Sequence, residues 1–233
     1  MSLGEEVLGI RPVASGFEVE VRKRAGAKSV LLARNVVVAC GYYDHPNRLG
    51  VPGEDLPHVS HYYVEPYAYY RQRVVVVGGK NSAALAALDL YRNGALVTLL
   101  HRRATLSDSI KYWIRPDIEN RIKEGAIVAR FEARISAITA AAVEIVSQRG
   151  QESLPADAVF LLTGYHPDDD LLRRAGVRVD PETFVPEHDA KTFETNVPGF
   201  FVAGSMVSGK MTNKVFIENG RFHGEAIVAA IRR

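Results

Sequence analysis

Residues 71–103, RQRVVVVGGKNSAALAALDLYRNGALVTLLHRR, constrain the fold of this chain more than any other stretch. Residues 74–77 are four valines that stop at Gly78-Gly79, the pattern of a parallel strand buried on both faces and entering a tight turn. Ala84, Leu85, Leu88 and Tyr91 then recur at helical spacing. Asn81 and Ser82 are suited to cap the start of that helix, and Asn93-Gly94 to stop it. Residues 95–100 supply a second apolar run, so the stretch predicts a strand, a helix and a strand joined with right-handed chirality. That unit is half of a dinucleotide-binding fold.

The turn reads Gly78-Gly79-Lys80-Asn81-Ser82-Ala83. Gly78 and Ala83 fit the G-x-G-x-x-G/A fingerprint, while Lys80 stands where the second glycine lets a pyrophosphate approach the helix N-terminus. Lys80 either points outward or sets its ammonium against a phosphate. An NAD site places an acid at the end of the second strand to hold the ribose 2′-hydroxyl. Here the strand ends His101-Arg102-Arg103, and cations at that place suit a 2′-phosphate. The bland alternative is a solvated basic strand end.

The chain has 233 residues, 47% of them hydrophobic, enough for one large domain or two small ones. Its 29 basic and 27 acidic residues are interspersed and leave a net charge of +2, which disfavours nucleic-acid binding. No apolar run approaches a membrane span, and the N-terminus lacks the pattern of a signal peptide, so a cytoplasmic location is expected. The single cysteine, Cys40, excludes an internal disulfide, a CxxC pair and a thiolate zinc site. Seven scattered histidines show no ligand spacing, and no metal is expected.

Residues 7–10, 17–22 and 29–32 alternate like three strands of an antiparallel meander. Then Val36-Val37-Val38-Ala39-Cys40-Gly41-Tyr42 reads as a buried strand ending in glycine. Val159-Phe160-Leu161-Leu162-Thr163-Gly164-Tyr165 repeats that outline downstream, so two related nucleotide-binding domains are expected, one inserted in the other. Ser107-Asp108 can cap a helix from about Ser109, with Pro116 marking a second helix or a kink and Trp113 and Ile114 packed. Residues 126–131 read as a third strand, and residues 135–138, 143–146 and 157–162 as a second meander returning to the sheet. A short helix over residues 168–175, an irregular stretch through Pro198 and a buried strand before Gly204-Ser205 follow. The last helix is expected from about Asn213 to Ile231, with Phe216, Ile217, Ala226, Ile227 and Ala230 inward.

Taken together these residues resemble the two-dinucleotide-domain flavoproteins of the thioredoxin reductase-like type. Ala39-Cys40-Gly41 and Leu162-Thr163-Gly164 look like that family's two Ala-Thr-Gly-type turns, His101-Arg102-Arg103 like its NADPH-selecting motif, and residues 198–204 like its C-terminal flavin segment. The phrases Gly-Gly-Lys-Asn-Ser-Ala, Leu-Ser-Asp-Ser-Ile-Lys-Tyr-Trp (residues 106–113) and Phe216-Ile217-Glu218-Asn219-Gly220 are similar to bacillithiol disulfide reductases within it, and there Lys80 is a family feature.

The resemblance implies an α/β chain: a Rossmann-like NADPH-binding domain at residues 71–164, inserted into an incomplete FAD-binding Rossmann-like domain formed by residues 1–70 and 165–233, with antiparallel β-meanders. It implies FAD as well as NADPH, hydride transfer from NADPH to FAD and reduction of a low-molecular-weight disulfide substrate. Gly164, Gly204, Ser205 and Lys214 would join Gly78, Gly79, Lys80, Asn81, Ser82, Ala83, His101, Arg102 and Arg103 in binding the cofactors. Ser205 departs from the aspartate usual after the final Ala-Gly, though a hydroxyl still donates and accepts. The family's first strand and G-x-G-x-x-G loop, which hold the ADP half of FAD, have no match, so the chain resembles the C-terminal two-thirds of such a protein. A flavin monooxygenase and a non-catalytic NADP(H)-binding fragment are the alternatives, and a homo-oligomer is compatible with the family.

No catalytic residue is identified. Cys40, at the end of a buried strand, is expected to be a small hydrophobe and not the redox centre. Tyr62, Tyr63, Tyr67, Tyr69 and Tyr70 are expected to pack, Lys210 and Lys214 are divided between a flavin role and a solvated loop, and His58 and His61 read as lone loop histidines.

Overall fold

The computed structural model describes residues 2–212 and 214–232. The chain opens with the expected meander, β1 (Glu5–Val13), β2 (Gly16–Lys23) and β3 (Lys28–Ala33) in antiparallel order. Ile10, Phe17 and Val21 turn inward, and the cross-strand pairs Arg22–Glu6 and Lys28–Glu20 lie on the solvent side. Next comes β4 (Val36–Val38), only three residues long. Of these Val38 is buried while Val37 is 45% exposed, so the expected fully buried strand is covered on one face alone.

Residues Asn47–Gly164 form a compact unit of their own, beginning 24 residues before the expected boundary at Arg71. The segment before residue 71 supplies β5 (Val59–Ser60), which pairs in parallel with the last strand of the unit. Then follow β6 (Arg73–Val77), α1 (Asn81–Arg92), β7 (Leu96–Leu100), α2 (Arg115–Lys123), β8 (Val128–Arg130), β9 (Arg134–Ile138), β10 (Ala142–Ser147), β11 (Gly150–Pro155) and β12 (Ala158–Leu161). Five strands make one parallel sheet in the order β5-β12-β6-β7-β8, and β9, β10 and β11 form a separate antiparallel meander. Strand periodicity divides the valines between two cores. Val74, Val76, Val97, Leu99 and Phe160 face α1 and α2, whereas Val75, Val77, Leu100, Val159 and Leu161 face the meander.

Three expectations for this unit are corrected. Residues 157–162 do not belong to the meander, because β12 lies inside the parallel sheet between β5 and β6; the third meander strand is β11, whose sequence GQESLP carries little apolar signal. No helix starts at Ser109. The segment 107–114 is a series of turns, and α2 begins at Arg115 with Pro116 in its first turn, where a proline removes no needed donor. Ile114 is buried, but Trp113 is 60% exposed.

Past residue 164 the chain completes the first unit, Met1–Pro46 with Tyr165–Arg233. Asp168 caps α3 (Asp169–Arg174) by accepting from the Leu171 N–H at 2.9 Å, and Leu171 and Leu172 pack into this unit's core. The strand β13 (Phe200–Val202) pairs in parallel with β4, in the register Phe200↔Val36 to Val202↔Val38. Phe200 meets Phe17 edge-on at 5.8 Å and joins Ile10, Val38, Val202 and Met206 in that core. The single last helix of the sequence reading is two, α4 (Ile217–Gly220) and α5 (His223–Ile231), and Asn213, its expected start, lies outside the described residues. Phe216 and Ile217 are 57% and 86% exposed, so neither points inward; Ile227 is the buried aliphatic residue of α5 and Ala226 and Ala230 are half-buried. No helix among the described residues is long and apolar enough to cross a membrane.

Candidate functional site

In the unit of residues 47–164 the site is built where β6 ends. Gly78 has φ +154°, and a Cβ there would lie 2.6 Å from the Leu162 carbonyl oxygen and 2.7 Å from the Ala83 Cβ. Only glycine lets β6 turn this close beneath β12. Gly79 is buried, and a Cβ on it would run into the His101 ring. Thus His101, the residue just after β7, forms the floor of the turn. Lys80 is extended and exposed, and it, not Asn81 or Ser82, is the N-cap of α1.

No side chain caps α1, and its first turn holds no acid. Its leading N–H groups and dipole therefore favour an anion. Ala83 is buried against the core, and Ser82 is exposed at the helix mouth. Asn81 has a different task from capping: its Oδ1 accepts from the Lys111 N–H at 2.9 Å and its Nδ2 donates to the Ser109 carbonyl at 3.0 Å. The Ser107 N–H also donates to the Gly79 carbonyl at 2.9 Å. These bonds fasten the segment after β7 to the glycine turn, a link between positions some thirty residues apart that no local pattern encodes.

Cations dominate the end of β7. Arg102 and Arg103 are exposed and form no ion pair among the described residues. Burial, aided by these two guanidiniums, pushes the His101 imidazole below its ordinary value, and its Nε2 is buried without a hydrogen-bond partner. A neutral ring next to two unpaired guanidiniums, close to an uncapped helix start, is suited to a ligand with phosphates at both places. The residues of the turn and strand end fit the pyrophosphate and 2′-phosphate of NADP(H).

Gly164 lies at the end of the same unit, with φ +93°. The Thr163 hydroxyl donates to the Asn47 carbonyl at 2.7 Å, and the Asn47 N–H donates to the Gly164 carbonyl at 2.9 Å. Because β12 neighbours β6, this turn opens at the same edge of the sheet as Gly78. Asn47 was invisible to sequence reasoning, since nothing in HPNRLG marks a partner for a residue 116 positions away.

Of the tyrosines, Tyr63 and Tyr69 meet Phe160 edge-on at 5.3 and 5.1 Å, and the Tyr63 hydroxyl donates to Asp89 Oδ2 at 2.6 Å. They pack, as expected, while Tyr67 and Tyr70 are largely exposed. His61 is not a lone loop residue. Its Nε2 is 3.3 Å from Oε1 of Glu54, a buried carboxylate that accepts the Leu49 and Gly50 N–H groups at 2.8 and 2.7 Å.

Gly204, Ser205 and Lys214 belong to the other unit. Its parallel strands β4 and β13 end together, placing Gly41 beside the half-buried Ser205; a Cβ on Gly41 would lie 3.6 Å from its hydroxyl. The Gly204 N–H donates to His223 Nδ1 at 3.2 Å, and Phe193 stacks on that imidazole at 4.1 Å. His223 was missed as a site residue, having no motif around it. Lys214 is exposed. Cys40 is exposed and not the buried hydrophobe expected, because β4 stops two residues before it; its Sγ touches Met206 Sδ at 3.7 Å. Partial burial and the Asp168 carboxylate push the thiol up, away from the thiolate form that reacts. The Ser205 turn suits the sugar-alcohol part of a flavin, but among the described residues of this unit no strand leads through a glycine turn into a helix that would hold FAD's pyrophosphate. The fit to FAD is therefore partial.

Comparison with known proteins covers most of the chain. The sequence profile of the pyridine nucleotide-disulphide oxidoreductases matches residues 1–204. Bacilliredoxin reductase Bdr of Bacillus subtilis (strain 168) is 48% identical over 200 residues, which are 84% of this chain and 61% of that protein. The structure of bacillithiol disulfide reductase Bdr from Bacillus cereus superposes with a TM-score of 0.95 at 43% identity, covering 97% of this chain and 70% of that one. Thioredoxin reductase of T. acidophilum, at 22% identity and a TM-score of 0.78, shares the fold. The chain thus spans about three-fifths of the length of its curated Bdr relative.

Proposed function

The chain belongs to the pyridine nucleotide-disulphide oxidoreductase family, whose members use FAD and NAD(P)H, and from that premise we propose that it serves an NADPH-dependent flavoprotein reductase of a low-molecular-weight disulfide, with residues 47–164 as its NADPH-binding part. The observation that carries this is the uncapped, acid-free start of α1 beside Arg102 and Arg103. The likeness to Bdr proteins supports a disulfide of the bacillithiol kind.

Reduced nicotinamide supplies a hydride when bound. The chain's own residues do the positioning. Gly78 and Gly79 let the pyrophosphate reach the first N–H groups of α1, with Lys80 alongside and Ser82 and Ala83 in the helix's opening turn. Arg102 and Arg103 grip the 2′-phosphate, and neutral His101 holds the turn from below without adding a third charge. Gly164 leaves room at the neighbouring strand end. In the other unit Gly204, Ser205 and Lys214 would meet a flavin, with Gly204 held in place by His223. Cys40 stays outside the redox chemistry.

Titration calorimetry with NADPH and NADH tests the nucleotide assignment. NADPH should bind at least ten-fold more tightly, and an Arg102→Ala/Arg103→Ala variant should lose about that factor for NADPH and little for NADH, since one charge-assisted contact contributes about 1.5–3 kcal/mol. Equal affinities for both nucleotides would refute it.

A further inference from the structure

We propose that Trp113, with Lys111 at its side, is the surface on which the adenine ring of the dinucleotide stacks. This rests on the NADP(H) assignment above and extends it to a residue that lies outside the glycine fingerprint and the cationic strand end. Three anchors fix the segment after β7 in the core: Leu106, Ile110 and Ile114, only 6%, 4% and 5% exposed. Four further ties hold its backbone. Ser107 donates to Gly79, Asn81 joins Ser109 and Lys111, and Arg115 Nη2 donates to the Ser107 carbonyl at 3.0 Å.

The buried Ile110 and Ile114 flank residues 111–113. Yet Tyr112 is 83% and Trp113 60% exposed. The two rings meet edge-on at 4.9 Å, and Lys111 Nζ stands 5.1 Å from the Trp113 ring centroid. A rigid, exposed indole beside an ammonium matches a flat aromatic base attached to phosphates.

Strand order identifies which end of the dinucleotide this is. The pyrophosphate belongs at the start of α1 and the adenosine ribose at the end of the second strand, β7. The segment 104–114 runs from that strand end and is bonded back to the start of α1, on the β7 side of β6. The opposite side, toward β12, is left for the nicotinamide half. Adenine is therefore the part of the ligand that Trp113 can meet.

Adenosine 2′,5′-bisphosphate, which carries the base and both phosphate positions but no nicotinamide, is the probe. Trp113 is the only tryptophan in the chain, so its fluorescence reports this ring alone. The bisphosphate should quench that emission saturably, and inorganic pyrophosphate should not. By calorimetry, Trp113→Ala should weaken the bisphosphate about ten-fold, as loss of one base–aromatic stack does, and Trp113→Phe should restore most of the affinity. An unchanged affinity in Trp113→Ala overturns the proposal while leaving the NADP(H) assignment standing; failure of the wild-type chain to bind the bisphosphate at all overturns that assignment and this proposal with it. Should Trp113→Ala fail to fold, the wild-type emission decides, because bisphosphate binding without quenching excludes a stack.

Discussion

At the scale of single residues, the site depends on backbone approach as much as on charge. Gly79 is needed because the His101 ring occupies the space where any Cβ would stand. Gly79→Ala should therefore displace a half-buried ring and cost about 1–2 kcal/mol, in the range of overpacked positions. Adding His101→Ala to that variant should recover part of the loss, and thermal unfolding of the two single variants and the double variant measures the coupling. Additive effects would mean that ring and turn are independent. The glycine turn itself was legible in the sequence; the imidazole beneath it was not, because residues 79 and 101 meet only once β6 and β7 are paired.

Among elements, the parallel sheet has a chemical end and a mechanical end. At the mechanical end Asp157, just before β12, joins Arg73, the first residue of β6. Its carboxylate accepts the Arg73 N–H at 2.8 Å, Nε at 3.0 Å and Nη2 at 2.5 Å. These hydrogen bonds hold the Asp157 carboxyl down at about 2, against about 3.9 in an unfolded chain. The folded state thus prefers the ionised form, and the unfolded state binds protons first as pH falls. The stability from this pair is fully present above about pH 4 and lost as pH falls through about 2. Between pH 5 and pH 2 the melting temperature of the wild type should drop more steeply than that of Asp157→Asn; parallel profiles would show that the clamp does not link the strands. Sequence periodicity identified β6, α1 and β7 because each is long or strongly apolar. It missed β11, whose six residues bury only Leu154, and merged α4 and α5 into one helix with Phe216 and Ile217 inward, although both are exposed.

On the scale of the whole molecule, the two units differ in how their parallel sheets are covered. Residues 47–164 enclose a five-stranded sheet between helices and a meander. In the other unit β4 and β13 form a two-stranded parallel sheet, and Val37, Phe216, Ile217, Phe222, Val228 and Ile231 are all more than two-fifths exposed. Parallel strands are ordinarily covered on both faces, and exposed apolar surface of this kind promotes association. The chain as it stands should bind NADPH, carry well under one flavin per chain and self-associate through residues 1–46 and 165–233. Light scattering and flavin absorbance of the purified chain check both, and a yellow, monodisperse preparation with one flavin per chain would contradict them.

What the sequence determined by itself is the set of local rules: a four-valine strand, a glycine turn, a helix and a cationic strand end, each set by neighbouring residues and sufficient to identify the dinucleotide unit. Local order also carried the expectation that one domain interrupts another, from two similar strand-Gly-Tyr outlines on either side of the strand-helix-strand stretch. Tertiary structure decided what depends on residues distant in sequence. It brought Asn47 to Thr163, Asn81 to the 109–111 segment, His101 beneath Gly79 and His223 against Gly204, and it left Trp113 outside the core. Such contacts form when strands pair and helices dock, and their geometry is fixed by the register of the sheet, which periodicity within a single strand does not specify.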